Sequence, residues 1–584
     1  MAKQKGKMKR NDDYASKERN LVSLASDFLS RHIWSLLILC LAVYAYFQPH
    51  IFSGFIRDWI GFSDHWDTAP LPENPQFLVP HARLEADTTK QQAVVQAFKH
   101  AWLAYERDAM GADEYHPISH EGTNLTEGGG IGYTVVDSLD TMLIMGLYDE
   151  YHRARRWVNQ KLTFDINGNF STFETTIRIL GGLLSAYELT AQDPLLLEKA
   201  IDLADRILPV FETTFGLPLP IVNLAERKGY HTTDFPGLVS VAEVGTLQLE
   251  FNYLSEITRN PVYEQKVKQI MEVVDKAKLP HGMASIFMNI EDGEYIPSSV
   301  SLGSRADSYY EYLLKQYIQT NFSEPIYRDM YLDAMSSVQT HLFRKTQSGG
   351  LTYTSELQPE ADETGLLSWR LVPKQDHLAC FLPGSLMLGA VSANPTVPRH
   401  KISYPPKEEQ LSADGLRDWK IGHELLKTCL ATHETVTGLS PEIAHFRIAS
   451  DGMDEMPNAP PDWYIRGAAE DALPSYNARY MLRPETIESL FIAYRLTGDN
   501  RFRDHGWNIF QAIEKHCRVD SGGYTTIISV AEIPTRREDK METFFLSETL
   551  KYLYLLFSDD RTIPLDRYVF NTEAHPLPIF KPSR

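Results

Sequence analysis

The sequence predicts an all-α protein built of helical hairpins stacked side by side. From Gln91 to the C-terminal region, apolar residues recur at helical spacing in segment after segment. These segments alternate between two kinds, one amphipathic and charged, the other apolar nearly all round. Helices of the first kind keep a solvated face, whereas those of the second are buried on most sides, so the alternation reads as outer and inner helices of repeated hairpins.

In chain order, residues 1–31 come first as a basic cytosolic tail, with eight Lys/Arg against four Asp/Glu. Residues 32–56 follow, inside a span between Arg31 and Arg57 that is free of Lys, Arg, Asp and Glu. With its apolar centre Ile33–Phe47 and interfacial Trp34, Tyr44 and Tyr46, the whole charge-free span is long enough to cross ~30 Å of hydrocarbon at ~1.5 Å per residue. The basic flank lies before it, which places the N-terminus in the cytosol and the body across the membrane, as a single-pass type II signal anchor. A cleaved signal peptide is the weaker reading, because the stretch before the apolar run is long and no Ala-x-Ala site follows. Residues 57–90, rich in Pro and aromatics ("DTAPLPENPQFLVP"), read as a stem, and 91–584 as the helical body.

Within the body, seven charged amphipathic segments are expected at 94–109, 150–158, 197–212, 262–277, 326–343, 416–433 and 501–517. Seven apolar partners are expected at 137–147, 174–189, 243–257, 307–318, 377–390, 485–498 and 548–557. Insertions at about 345–370, 392–413 and 446–473 separate some units. Spacing alone leaves open whether such an array closes into a ring or stays an open solenoid.

The formal charge of −20 is uneven, because the head is positive and the body carries the acids. An acidic body excludes nucleic acid as a partner, since phosphates need an excess of Lys and Arg. No CxxC, HExxH, GxSxG or Walker sequence is present, and "GGGIG" at 128–132 lacks the spacing of a dinucleotide fingerprint. Beyond Cys40 in the anchor, Cys380, Cys429 and Cys517 allow at most one disulfide and leave one thiol over. Asn124, Asn169 and Asn321 begin Asn-x-Ser/Thr triplets, candidates for glycosylation in a secretory lumen.

Six of the seven apolar segments carry an acid at or near their start: Asp137, Glu174, Glu243, Asp307, Glu485 and Glu548. The fifth begins Asp376-His377. Taken singly, such acids complement a helix dipole. Thr134, Ser171 and Ser240 lie where a capping box would need them, and Pro484 would take the first helical position ahead of Glu485. Taken together, they converge, because alternating hairpins put all inner N-termini on one face. Clustered carboxylates repel unless cations compensate, and the nearby candidates are Arg178, Arg305, Arg483 or a bound metal. Glu485 and Glu488, one turn apart, add a like-charge pair. Converging acids with aromatic neighbours (Tyr309, Tyr310, Phe544, Phe545) suit sugar chemistry: one acid protonates a leaving oxygen, another activates water, and rings cover the sugar.

The stretches "VVDSLDTMLIMGL", "FETTIRILGGLLSAYEL", "AEVGTLQLEF", "RADSYYEYLLKQYI", "DHLACFLPG", "LRPETIESLFIAYRLTGD", "FFLSETLKYLYLLF" and "FNTEAHP" together resemble glycoside hydrolase family 47, the class I α-1,2-mannosidases, over roughly 91–580. The resemblance implies a closed (αα)7 barrel with small β elements in its loops and a C-terminal hairpin-like plug. It also implies calcium (Ca2+) at the barrel floor and inverting removal of terminal α-1,2-mannose from Man9GlcNAc2-type N-glycans on glycoproteins, giving Man8GlcNAc2. By the same carry-over Glu174 is the general acid, Glu485 the general base, and Asp307 a third essential carboxylate argued both as acid and as supporting group. Arg178, Glu243, Arg305, His377, Arg483, Glu488, Phe544, Glu548 and Glu573 match substrate- or water-network positions, and Thr572 the sole direct protein ligand of calcium. An Arg at position 305 goes with reticulum members that remove one middle-branch mannose. Cys380 and Cys429 match the disulfide of reticulum members.

A monomer anchored in the endoplasmic reticulum membrane, its body lumenal, is thus expected, with the Golgi as the alternative location. A lectin-like protein directing misfolded glycoproteins to degradation is the competing function. The joint presence of Glu174, Asp307, Glu485 and Thr572 favours the enzyme, since a binder needs no acid and base. A helical scaffold for protein partners is harder to reconcile with so many acids on buried helices.

Overall fold

The computed structural model describes residues 84–582 other than 278, 280–282, 454–459 and 468–473. The expected tail and anchor, and all but the end of the stem, lie outside these residues. Among the described residues, no helix is long and apolar enough to cross a membrane.

Seven outer helices are present among the described residues: Thr88–Asp108, Tyr148–Gln160, Pro194–Ile207, Pro261–Ala277, Pro325–His341, Ala413–Thr432 and Asn500–His516. They alternate with seven inner ones: Leu139–Ile144, Gly181–Leu189, Gln248–Thr258, Asp307–Gln319, Leu382–Ser392, Glu485–Thr497 and Leu550–Phe557. The outer helices begin where the residue chemistry says they should. Asp87 accepts from Lys90 N–H, Asp193 caps a helix opened by Pro194, and Asp499 accepts from Arg501 N–H. The inner helices are buried nearly all round, as in Glu485–Thr497, which ends on Gly498 in the left-handed region at φ +70°.

The array is a closed ring. The last inner helix packs against the first outer one, and Asp87 N–H donates to the Phe557 carbonyl at 2.8 Å. Small sheets lie in and beside the first and third insertions, whereas 392–413 holds short 3-10 turns. Glu356–Ala361 pairs with Leu367–Val372 as a hairpin, and Lys374–Asp376, Ile443–Phe446 and Trp463–Tyr464 make a three-stranded sheet. Cys380 and Cys429 are joined by a disulfide, and Cys517 is a buried free thiol.

Three local starts differ from expectation. Thr134 does not cap Asp137: its hydroxyl donates to the Asp113 carbonyl, and Asp137 ends a short helix, Tyr133–Asp137, begun by Gly132. Pro484 is the cap itself, with Glu485 the first helical residue. The first outer helix begins at Thr88, inside the expected stem. Ser240 and Glu243 do form the full capping box.

The chain's end turns back into the barrel. Tyr568–Phe570 pairs antiparallel with Pro576–Pro578, and the turn Asn571–His575 between them sits against inner helices. Room for it comes from Gly181 and Gly182. A Cβ at Gly181 would lie 2.6 Å from Asn571 Nδ2, and one at Gly182 3.3 Å from His575 Cε1 and 2.8 Å from the Val136 carbonyl.

A buried polar cluster anchors the plug. His575 bridges Asp140 (Nδ1, 2.8 Å) and Asp137 (Nε2, 3.0 Å), and Lys551 Nζ reaches Asp140 Oδ2 at 2.9 Å and the Ala574 carbonyl at 2.8 Å. Burial alone would lower the His575 pKa, but Asp140 and the two carboxylate hydrogen bonds outweigh it and raise it. A raised histidine pKa contributes stability that is full below the unfolded value of about 6.5 and is lost as pH rises through the folded value. The melting-temperature difference between wild type and His575→Gln should therefore be largest below about pH 6.5 and shrink at higher pH. A difference that grows with pH would contradict a charged His575.

Candidate active site

Glu174, Asp307, Glu485, Glu488 and Glu548 lie within one network of charges, which Glu573 of the plug joins through Arg178. Glu174 lies at the junction with a π-helical turn, Thr175–Leu180, and Glu548 within another, Phe545–Thr549. Such turns widen a helix locally and often mark functional sites. The Glu174 side chain is 39% exposed, and its Oε2 accepts from Arg178 Nε at 2.7 Å. Arg178 also pairs with Glu573, donates to Thr543 Oγ1 at 3.0 Å and lies 3.6 Å from Asp137. One guanidinium thus ties the candidate acid to the plug.

Glu485 is buried, and its Oε2 has no hydrogen-bond partner. The nearest cationic or basic groups, Arg483 Nη1 and His377 Nε2, are each 3.9 Å away. Arg483 is engaged by Glu442, at 2.8 and 3.1 Å. Burial, only partly offset by Arg483, pushes the Glu485 carboxyl up to about 8. Asp307, the first residue of its helix, accepts from Ser308 N–H at 2.8 Å, and burial raises it to about 7. His377 is held neutral by burial and by its neighbours His433 and Arg483. An underpartnered carboxyl near neutrality, buried among groups that can orient water, is what a general base requires.

Glu488, Glu548 and Glu573 crowd the same region. Burial is the main reason each is raised, and mutual repulsion adds to it: Glu573, Glu485 and Glu488 all act on Glu548. Lys315 partly compensates, pairing with Glu311 and lying 3.5 Å from Glu488. Thr572 completes the group. Its hydroxyl donates to Glu311 Oε2 at 2.8 Å, which leaves its lone pairs and its carbonyl for another partner. Among the described residues no three His, Cys, Asp or Glu side chains are arranged as direct metal ligands. The donor chemistry is all oxygen, and a hard divalent cation at Thr572 would relieve the repulsion that burial leaves uncompensated.

At the rim, Arg305 is exposed and sits at φ +78°, a costly conformation for a residue with a side chain. Its carbonyl accepts from Ala242 N–H at 3.0 Å, and its guanidinium lies 5.1 and 5.2 Å from the Phe235 and Phe287 rings. It makes no ion pair with Asp307 among the described residues, so it is a rim cation on an aromatic shelf. Glu243 is taken up by its capping box, Oε2 accepting from Ser240 N–H at 2.9 Å. Of the four aromatics expected to cover a sugar, only Phe544 faces the site, with the Arg178 and Arg483 guanidinium carbons 5.7 and 5.4 Å from its ring. Tyr309, Tyr310 and Phe545 are core residues.

Reading the sequence missed Glu311, Lys315, Glu442, Asp140, Lys551 and His575. A signal was there for Lys315 and Lys551, since a lysine within a helix that is apolar all round must find a buried partner. Asn124 and Asn169 are exposed and Asn321 half-buried.

The sequence profile of glycosyl hydrolase family 47 matches residues 97–579. A mannosyl-oligosaccharide 1,2-alpha-mannosidase of Arabidopsis thaliana is 42% identical over 513 residues, 84% of this chain and 79% of its own. The endoplasmic reticulum mannosyl-oligosaccharide 1,2-alpha-mannosidases of Homo sapiens and Schizosaccharomyces pombe are 39% and 40% identical, over 88% and 85% of this chain and 68% and 91% of theirs. Among solved structures, an alpha-1,2-mannosidase from Trichoderma reesei superposes with a TM-score of 0.72 at 29% identity, covering 85% of this chain and 100% of that one.

Proposed function

We infer that this chain, which belongs to glycosyl hydrolase family 47, is a mannosyl-oligosaccharide 1,2-α-mannosidase that removes terminal α-1,2-mannose from Man9GlcNAc2-type N-glycans with inversion. The observation that carries the chemistry is the placement of two carboxyl groups. Glu174 is open and hydrogen-bonded to Arg178, whereas Glu485 is buried with its Oε2 unpartnered between Arg483 and His377, free to accept from a water. Glu174 protonates the departing glycosidic oxygen, and Asp307, raised to about 7, supports it or shares that task. Glu485 takes the proton of a water that attacks the anomeric carbon from the opposite side. Arg178, Glu488, Glu548 and Glu573 hold the water and sugar hydroxyls in place, and Phe544 walls the site.

Calcium fits the oxygen donors at Thr572. When bound, it supplies charge that orients sugar hydroxyls and lowers the pKa of the surrounding acids. Because a ligand of the folded state alone stabilises it, chelation should abolish activity and lower the melting temperature together. An unchanged melting curve on chelation would contradict the metal assignment.

Removal of a single middle-branch mannose to give Man8GlcNAc2 is supported by Arg305, a fixed rim cation whose five donors can hold a neighbouring branch. Arg305→Leu should yield several Man8 and Man7 isomers where wild type yields one, read by chromatography of the released glycans. An unchanged product profile would overturn its specificity role. Residence in the early secretory pathway, with residues 32–56 as a type II anchor, is proposed from the apolar N-terminal span and the reticulum relatives.

A further inference from the structure

The hairpin Glu356–Ala361/Leu367–Val372 has no part in the chemistry above, yet it is rooted at the mouth of the site. Val300 and Leu357 exchange backbone hydrogen bonds of 2.9 and 3.0 Å, and Ser301 Oγ donates to Glu356 at 2.8 Å. Lys374 joins Glu356 (2.7 Å) to Asp376 (2.8 Å), the residue before His377. The two segments that hold this hairpin are therefore those that carry Arg305, Asp307 and His377. Six residues per strand at ~3.4 Å each give it a reach of roughly 20 Å.

Its two faces differ beyond the root, where Leu357 packs against the core. The register pairs Leu357 with Leu371, Pro359 with Trp369 and Ala361 with Leu367, so one face is wholly apolar. Of the alternate pairs, Gln358 with Arg370 and Glu360 with Ser368 are polar, and at the root Glu356 stands opposite Val372. Leu366, Leu367 and Trp369 are 70%, 42% and 41% exposed. A sheet face of this kind beside a catalytic mouth marks an interaction surface.

We propose that this face holds extended, apolar polypeptide of the glycoprotein whose glycan occupies the site, an inference that rests on the trimming reading above. Sugar is a poor occupant, because the apolar face offers no side-chain hydrogen-bonding group apart from the Trp369 indole N–H. An anionic membrane surface is a poor one too, because Glu360, Asp362 and Glu363 crowd the tip against Arg370 alone. Those acids favour apolar sequence flanked by Lys or Arg, which a folded glycoprotein hides and an unfolded one exposes. Tethered by its glycan, such a segment binds at high effective concentration, so weak contacts suffice.

The test compares wild type with the double variant Leu367→Ser/Trp369→Ser on three substrates: free Man9GlcNAc2, a folded Man9-bearing glycoprotein, and the same glycoprotein reduced and alkylated. Wild type should show a KM for the unfolded glycoprotein roughly five- to tenfold below that for the folded one. The variant should lose this difference and keep the wild-type rate on the free glycan. In parallel, a fluorescein-labelled peptide with a Leu/Val core flanked by lysines should bind wild type and not the variant. That arm reads the surface even if no mannose is released from the free glycan, which would sink the trimming reading alone. The proposal is overturned if the variant keeps the preference, if its rate on free glycan falls in step, or if peptide binding is unchanged. It is equally overturned if sedimentation shows that the face pairs two copies of the chain, or if wild type and not the variant floats with phosphatidylserine vesicles.

Discussion

Glu485→Gln should abolish turnover of Man9GlcNAc2, by roughly 10³-fold or more, while oligosaccharide binding persists. The amide keeps the shape of the carboxyl and the positions of Arg483 and His377, but it cannot take a proton from water. Calorimetric titration with the oligosaccharide should give a dissociation constant within a few-fold of wild type, and residual turnover near wild type would remove Glu485 from the role of base. The same variant carries a stability signature. A carboxyl whose folded pKa is about 8 penalises the fold above its unfolded value near 4.5, increasingly up to pH 8. With chelator present, Glu485→Gln should therefore melt above wild type at pH 8, by a margin that shrinks as pH falls toward 4.5. A glutamate held as its anion by Arg483 would give the opposite sign.

Removing residues 568–584 should cost both the fold and the activity. Tyr568, Val569, Phe570 and Leu577 are each at least 95% buried, and each contributes about 1.5–3 kcal/mol. Their loss also leaves Asp137, Asp140 and Lys551 without His575 and the Ala574 carbonyl, and breaking such buried pairings typically costs about 3–5 kcal/mol. The sum rivals the whole stability of an ordinary domain, about 5–15 kcal/mol. Thr572→Val separates anchoring from metal binding. It deletes one hydrogen bond to Glu311, worth about 1 kcal/mol, and should leave a folded barrel with little activity and a weakened response to calcium. A truncated protein that still trims mannose would show that the plug is dispensable.

The helical repeat was legible because burial writes itself into residue spacing. Inner helices such as Glu485–Thr497 are apolar all round, and outer ones such as Pro194–Ile207 are not. The convergence of acids followed from topology, since alternate helices share a direction. What spacing could not show was which partner each charge would find. Arg178 reaches across to Glu573, a contact 395 residues away in sequence, and Arg483 goes to Glu442 in a loop. Local patterns also misled where tertiary contacts won: Thr134 abandons its cap for the Asp113 carbonyl, and Tyr309 and Tyr310 fill the core. The two π turns leave no trace in apolar periodicity, although they carry the candidate site residues Arg178 and Glu548. The plug was legible only through the "FNTEAHP" resemblance, and Gly181 and Gly182 gain their meaning only once the turn at 571–575 lies against them.

The most direct measurement follows the proton NMR signals of mannose released from Man9GlcNAc2 in the first minutes of reaction, before mutarotation. Attack by water activated at Glu485, opposite the leaving group protonated from Glu174, must give β-mannose first. First-formed α-mannose would require a covalent intermediate and a different division of labour between the carboxylates, and it would contradict the roles assigned to them.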